Sequence, residues 1–234
     1  MKQLGEINFA VSENEWVSYL VELFVQNALE SIKQSKKFYL AVSGGQTPNS
    51  FFKEIVNDSR LDKFTWENIN IYWVDERTVP IDNENSNFGN ALKYLKLVSA
   101  NLFPMLSGDL VRIDADLKSY IQHLSTVPQV NGFPQFDLVL LGMGADGHIA
   151  SLFPNTNALD NFSEWVVRNY IPQLKQERIT ITFPLITNAK EIVFLIKGID
   201  KISTLFQTMS SQNTNFPVDK ILGTTVKKTW IYYI

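Results

Sequence analysis

Asp146 and His148 carry the side chains best suited to acid–base chemistry in this sequence. They stand two residues apart, and His148 is one of only two histidines in the chain. An imidazole titrates near neutrality, and a nearby carboxylate can orient its ring, so the pair is suited to work as a general base. The other histidine, His123, lies within a predicted helix and is interpreted as a structural or surface residue.

The same stretch matches the dinucleotide fingerprint Gly-x-Gly-x-x-Gly at Gly142, Gly144 and Gly147. Asp146 would place an anion beside the pyrophosphate, and Pro154 interrupts the long helix that the fingerprint requires. The sequence therefore does not favour a dinucleotide cofactor.

A second polar cluster, Ser43–Pro48, follows a short apolar segment. Gly44 and Gly45 let the backbone approach an anion closely, while Ser43 and Thr47 add hydroxyl donors. Thr47 is predicted to cap a helix that has Pro48 at its first position. These residues predict a phosphate loop, although a tight turn between strand and helix explains them equally well. No Gly-Lys-Ser/Thr follows, so this is not a Walker loop.

Charged residues supply further candidates. Asp75-Glu76-Arg77 places three charges at the end of a predicted strand, where burial of one is expensive without a partner or ligand. Arg77 could hold a phosphate or a developing oxyanion, and surface ion pairing is the alternative. Arg178, on the polar face of an alternating segment, and Lys201, at the start of a helix, are natural phosphate partners, or else merely solvated.

The predicted elements alternate between strand and helix. A capping box at Ser12 and Glu15 begins the first helix, and further helices are predicted after Thr47 and over 90–98, 116–124 and 201–209. Strands are predicted over 38–42, 69–74, 136–141, 178–183, 191–196 and 229–234. This alternation predicts an α/β fold with a mainly parallel sheet covered on both faces. In such sheets ligands bind outside the carboxyl ends of the strands, so the polar clusters are expected to converge on one crevice.

Composition narrows the classes of function. The chain has 234 residues, of which 45% are hydrophobic, and a single domain over residues 1–234 is expected. With 21 Lys+Arg against 24 Asp+Glu, the net charge of −3 gives no basic excess for nucleic acid or an anionic membrane. The absence of cysteine removes thiolate chemistry and Cys-based metal sites. No metal-binding set emerges, and neither a signal peptide nor a membrane span is expected.

Several of these motifs together resemble the 6-phosphogluconolactonase family. They are Ser43–Pro48, Asp75–Arg77 followed by Ser86-Asn87, the string Asp-Gly-His-x-Ala-Ser-Leu-Phe-Pro over residues 146–154, Arg178–Thr180, and Gly198 with Lys201. The resemblance implies a three-layer Rossmann-like α/β fold shared with glucosamine-6-phosphate deaminases. It also implies hydrolysis of 6-phospho-D-glucono-1,5-lactone to 6-phosphogluconate in the oxidative pentose phosphate pathway, without a cofactor. A cytoplasmic location is expected because the sequence has no cysteine and no predicted signal peptide or membrane span.

At the motif that begins with Asp146, the sister deaminases typically have Asp-Gly-His-Ile-Ala-Phe-Asn-Glu. In this chain Phe153 stands at the position of that glutamate. The deaminases also tend to have Met-Asp-Glu-Tyr where this chain has Val74-Asp75-Glu76-Arg77. Both differences favour the lactonase. A glucosamine-6-phosphate deaminase and a non-catalytic sugar-phosphate sensor remain as alternatives.

The resemblance implies roles for individual residues. The Ser43, Gly44 and Gly45 backbone with Thr47, Arg178 and Lys201 would bind the substrate phosphate. His148, held by Asp146, would activate water, Arg77 would steady the oxyanion, and Asp75 and Gly144 would line the site. The expected partner is a small sugar phosphate lactone, with no nucleic acid or membrane, for a monomer or small homo-oligomer. One departure is Tyr233, where the family usually has the aspartate of a Trp-x-x-Asp pattern.

Overall fold

Seven parallel strands form the central sheet of the computed structural model, which describes residues 2–45, 47–210 and 214–233. Gln46 of the predicted phosphate loop and Ile234, the predicted end of the last strand, lie outside the described residues. The strands are β1 Glu6–Ala10, β2 Phe38–Val42, β3 Ile69–Trp73, β4 Asp75–Arg77, β5 Asn101–Phe103, β6 Gln129–Val130, β7 Phe133–Pro134, β8 Leu138–Gly142, β9 Val166–Ile171, β10 Gln176–Ile181, β11 Glu191–Lys197 and β12 Lys227–Tyr233. The helices are α1 Glu13–Ser35, α2 Asn49–Ile55, α3 Lys63–Glu67, α4 Asn87–Leu95, α5 Ile113–Leu124, α6 Phe183–Thr187, α7 Ile202–Met209 and α8 Pro217–Leu222.

The order of strands in the main sheet is β1-β12-β11-β8-β2-β3-β5, and every neighbouring pair is parallel. Consecutive residues of β3 and β11 are buried, so both faces of the sheet are covered. The predicted α/β Rossmann-like architecture is therefore confirmed. Strands β2, β3, β8 and β11 directly precede Ser43–Pro48, Asp75–Arg77, the segment with Asp146 and His148, and the segment with Lys201. These four strands are adjacent in the sheet, and the strand order reverses between β2 and β8. That reversal is where open α/β sheets bind ligands.

Helix α1 shows why the sequence packs in this way. The Ser12 hydroxyl accepts a hydrogen bond from the Glu15 backbone N–H at 3.2 Å, which confirms the predicted cap. Trp16, Leu20 and Phe24 recur at helical spacing and are fully buried. The Trp16 indole N–H donates to the Ile231 carbonyl at 3.0 Å and so ties the helix to β12.

A second, antiparallel sheet has the order β4-β10-β9 and was not predicted. Asp75-Glu76-Arg77 forms strand β4 of this sheet, and the single residue Val74 separates it from the end of β3. The expected strand over 178–183 is β10, which ends at Ile181, and Phe183 begins helix α6. Thr180 shares the expected polar face with Arg178, but it is fully buried, so the prediction of an exposed polar face is wrong at this residue. The second sheet therefore places the polar residues of β4 and β10 in contact with partners within the protein.

The start of α2 also differs from the prediction. Thr47 is not the N-cap, because Pro48 occupies that position and no side chain caps the helix. The Pro48 carbonyl accepts the first helical hydrogen bond from the Phe52 N–H at 2.9 Å. Thr47 thus stays in the loop, one residue before the cap. Among the residues placed in the structure, no helix is both long and apolar enough to cross a bilayer.

Candidate active site

A cavity of about 330 Å³ opens at the carboxyl ends of β2, β3, β8 and β11. Nine predicted site residues line it: Ser43, Gly44, Gly45, Thr47, Asp75, Arg77, Gly144, His148 and Lys201. Gly142, Met143, Ala150 and Leu195 complete the wall. Two predicted site residues, Asp146 and Arg178, do not line this cavity, but each contacts or pairs with a residue that does.

A larger groove of about 680 Å³ lies between α1 and α2. Its wall includes the exposed ion pair of Arg60 with Glu22, which is typical of a solvated surface. Size alone would favour this groove, but the strand-end cavity combines the switch point of the sheet with an imidazole, a guanidinium and an ammonium group. We therefore assign the functional site to the smaller cavity.

The loop after β2 is fixed to the neighbouring strand β8. The Ser43 N–H donates to the Leu140 carbonyl at 2.8 Å, and the Ser43 hydroxyl accepts from the Gly142 N–H at 3.0 Å. Gly44 lies against Asn87 so closely that a Cβ atom at this position would come within 2.2 Å of the Asn87 side chain. A larger residue than glycine would therefore displace either the loop or the start of α4.

Asp75 is a buried carboxylate, 5% exposed, at the edge of the cavity. The Ser151 hydroxyl donates to its Oδ2 at 2.6 Å, and the Asn87 amide donates to its Oδ1 at 3.1 Å. Each carboxylate oxygen thus has one donor from the protein and retains a lone pair. Asp75 can accept a further hydrogen bond from a ligand hydroxyl.

Arg77 and Arg178 are paired residues on the antiparallel strands β4 and β10. Arg77 donates through Nη1 to the Asn85 carbonyl at 2.7 Å, and Arg178 donates through Nη2 to Gln176 at 2.9 Å. Burial lowers the pKa of Arg178, and the neighbouring charge of Arg77 lowers it further, against the opposing effect of Asp75 and Glu76. Two cations held side by side in this way form a favourable place for an anion.

His148 is held at Nδ1 by Asp146, whose Oδ1 lies 2.6 Å away. Burial alone would raise the pKa of Asp146, but hydrogen bonds and the charge of His148 outweigh it, and the pKa lies below its ordinary value. An ionised Asp146 accepts the Nδ1 proton, so the lone pair of the neutral ring is on Nε2. The ring can therefore accept a proton from water.

Lys201 lies in a short 3₁₀ turn, Ile199–Lys201, immediately before α7. Its ammonium group donates to the Lys197 carbonyl at 3.1 Å, and the residue lines the cavity. One hydrogen bond to a carbonyl leaves two donors for a ligand anion.

Several residues that support the site were missed by the sequence analysis as functional positions. Asn169 on β9 donates to the Ser151 carbonyl at 2.8 Å and to the Thr156 hydroxyl at 3.0 Å. Phe153 stacks on the His148 ring, with centroids 3.8 Å apart. Phe153 and Ser151 belong to the third motif and could have been proposed from it, whereas β9 itself was not predicted.

No group of three or more His, Asp or Glu side chains is arranged to hold a metal ion within the described ranges. The cavity instead presents two hydroxyl groups, backbone N–H groups and fixed cations. These are the groups that bind a phosphate and a second, developing negative charge.

The chain matches the family model for glucosamine-6-phosphate isomerases and 6-phosphogluconolactonase over residues 11–230. It belongs to that family. Among curated relatives, a 6-phosphogluconolactonase of Chlamydia pneumoniae is 32% identical over 203 residues, which cover 85% of this chain and 76% of the relative. The family resemblance seen in the sequence is thereby confirmed.

Solved structures of family members have the same fold. A 6-phosphogluconolactonase from Leishmania guyanensis matches with a TM-score of 0.86 at 26% identity, covering 99% of this chain and 97% of the other. A monomeric glucosamine-6-phosphate deaminase matches with a TM-score of 0.77 at 18% identity, covering 97% of each chain. The fold is thus common to family members of both activities, and the site must distinguish them.

Proposed function

We propose that this family member is a 6-phosphogluconolactonase, a carboxylic ester hydrolase that converts 6-phospho-D-glucono-1,5-lactone to 6-phospho-D-gluconate in the oxidative pentose phosphate pathway. The observation that carries the proposal is the His148–Asp146 pair at a cavity that also presents Arg77 and Lys201. The relative from Chlamydia pneumoniae, which bears that name, supports it. Phe153 also supports it, because it offers no acid–base group beside the imidazole.

The substrate phosphate binds to the backbone N–H groups of Gly44 and Gly45 and to the Ser43 and Thr47 hydroxyls, because the Ser43 N–H is already bonded to the Leu140 carbonyl. Lys201 and Arg178, which is paired with Arg77, neutralise its charge. This binding is remote from the reacting carbonyl and fixes the orientation of the lactone ring. Asp75 accepts a hydrogen bond from a ring hydroxyl, and Gly144, which has no Cβ, makes room for the imidazole itself.

Hydrolysis then requires one activated water. The water oxygen attacks the lactone carbonyl carbon C1 while His148 Nε2 takes its proton, and Arg77 stabilises the oxyanion of the tetrahedral intermediate. The C1–O5 bond breaks, and the ring oxygen leaves as the C5 hydroxyl with the proton returned by His148. The product acid ionises, so one water is consumed and one proton is released. The proposed reaction uses no cofactor.

The proposal extends to the setting in which the protein works. We place it in the cytoplasm, because a sugar phosphate is charged and does not cross membranes unaided. The partner is the small lactone substrate, without nucleic acid or a membrane, and residues 1–234 act as one domain in a monomer or small homo-oligomer. One cluster of buried apolar residues that extends from Ala10 to Tyr232 supports the single domain.

A lactone-hydrolysis assay at slightly acidic pH, where the spontaneous reaction is slow, tests the activity. We expect a rate proportional to protein concentration, with kcat reduced about 100-fold or more in His148→Ala. An unaccelerated reaction would contradict the proposal. Ammonia release from glucosamine 6-phosphate would then indicate a deaminase, and thermal stabilisation by 6-phosphogluconate without turnover would indicate a sensor.

A further inference from the structure

The His148 imidazole is confined by more than its hydrogen bond to Asp146. The ring of Phe153 stacks on it, with centroids 3.8 Å apart and planes 17° from parallel. Gly144 also lies against the imidazole, because a Cβ atom there would come within 2.2 Å of its Cε1 and Nδ1 atoms. Phe153 is itself 8% exposed, so its ring is held by the protein around it. Together these contacts restrict both torsions of the histidine side chain.

The position of Phe153 is fixed from the second sheet. The Thr156 hydroxyl donates to the Phe153 carbonyl at 2.7 Å, and Asn169 on β9 donates to that hydroxyl and to the Ser151 carbonyl. Asn169 is 2% exposed, and these hydrogen bonds fix its amide. A continuous series of contacts therefore connects β9, through Thr156 and Phe153, to the imidazole.

We propose that Phe153 is a positioning residue for the proposed reaction: it holds the His148 ring at the angle that directs Nε2 at the hydrolytic water. The inference rests on the proposed function of His148. An aromatic ring suits this role because stacking fixes the tilt of the imidazole, which the single hydrogen bond at Nδ1 leaves free. General-base catalysis depends on this alignment, and a misplacement of about 1 Å can cost about 100-fold in rate.

The first test replaces the aromatic ring while retaining an apolar side chain. Phe153→Leu is expected to lower kcat by roughly 10- to 100-fold and to leave KM for the phosphorylated lactone within about twofold. Phe153→Tyr, which keeps the stacked ring, is expected to restore most of kcat. Phe38→Leu is the matched control, since Phe38 is fully buried at the opposite end of β2 and is expected to lose stability without losing kcat.

A double-mutant cycle separates positioning from general damage. If Phe153 acts only through His148, adding Phe153→Leu to His148→Ala should produce no further loss of kcat. A full, additive loss in that background would overturn the proposal, as would a Phe153→Leu enzyme with kcat within about twofold of the parent. Wild-type protein that fails to accelerate lactone hydrolysis would instead contradict the proposed function.

Proton NMR gives a readout that does not depend on activity. The chain has only two histidines, so a His123→Gln variant assigns the His148 ring signals. Stacking on Phe153 is expected to shift the His148 ring protons upfield, and the shift should disappear in Phe153→Leu and persist in Phe153→Tyr. Unchanged His148 ring signals in Phe153→Leu would overturn the proposed restraint.

Discussion

Arg77 and Arg178 stand opposite each other on β4 and β10, and the Nε–H group of each is buried without an acceptor within the described residues. Like charges directly opposite each other on antiparallel strands are destabilising. Buried donors without acceptors add to that cost. A bound anion would offset the repulsion between the two cations, so the ligand-free site is expected to be less stable than the same site with its substrate.

Arg178→Met should separate affinity from stability. Loss of one charge-assisted hydrogen bond is expected to raise KM for the phosphorylated lactone by roughly 10- to 100-fold. The ligand-free protein should unfold in urea with a free energy equal to that of the parent or up to about 1 kcal/mol higher, because the repulsion from Arg77 is removed.

Arg168→Met on the neighbouring strand β9 is the control, since Arg168 already has Asp114 and Glu177 as ionic partners. It is expected to leave KM unchanged and to gain no stability. A marked loss of stability in Arg178→Met, with KM unchanged, would show that the second guanidinium is structural and does not bind the ligand.

Lys201→Ala should weaken binding of the substrate phosphate without affecting the hydrolytic step. We expect KM for the phosphorylated lactone to rise about tenfold or more with little change in kcat. Hydrolysis of unphosphorylated glucono-1,5-lactone should be unaffected, because Lys201 is assigned to the phosphate alone. Lys220→Ala, which removes an exposed ion pair with Asp160, serves as control. Equal losses on both lactones would contradict the phosphate assignment.

The part of the site that could be predicted from the sequence follows from the geometry of parallel strands. Short apolar runs such as Phe38–Val42 are typical of buried strands, and this strand has the predicted limits in the structure. The polar residues that follow each run must then lie at one edge of the sheet. Local patterns alone therefore placed Ser43, Arg77 and His148 at one cavity.

The second sheet could not be predicted because its stability depends on distant partners. Asp75-Glu76-Arg77 has no strand-like pattern, and the burial of Asp75 is compensated by hydrogen bonds from Ser151 and Asn87. Strand β9 contains Arg168 and Asn169, which interrupt an apolar run. Strand β1 of the main sheet was also not predicted, because it is a half-exposed edge strand. In each case the strand is stabilised by contacts with residues that are distant in the sequence, and the local hydrophobic pattern does not predict such contacts.

Asp146→Asn tests the pH dependence of the Asp146–His148 pair. The folded-state pKa of Asp146 lies below its value in the unfolded chain, so its contribution to stability is present above the unfolded pKa. That contribution is lost as the pH falls through the folded value. The difference in Tm between the parent and Asp146→Asn should therefore shrink as the pH is lowered from about 5 to about 3. A difference that grows over this range would contradict the lowered pKa.

Glu76 on β4 is hydrogen-bonded to the start of α4. Its carboxylate, 2% exposed, accepts backbone N–H bonds from Arg77, Asn87 and Phe88 at 2.7–2.8 Å. Glu76→Ala would leave these donors buried without an acceptor, so we expect the free energy of unfolding in urea to fall by about 3 kcal/mol or more. Glu76→Gln keeps one acceptor oxygen and should lose less.

The same residue gives a pH dependence of opposite sign to that of Asp146. Burial raises the pKa of Glu76 above 4.5, against the backbone N–H bonds that favour the ionised form. Between the unfolded and folded pKa values the folded state holds a proton that the unfolded chain has released, so the contribution of Glu76 to stability declines as the pH rises through that window. Glu76→Gln does not titrate and should lack this decline. Urea unfolding of both proteins at a series of pH values above about 4.5 measures it, and parallel profiles would show that the backbone donors offset the burial.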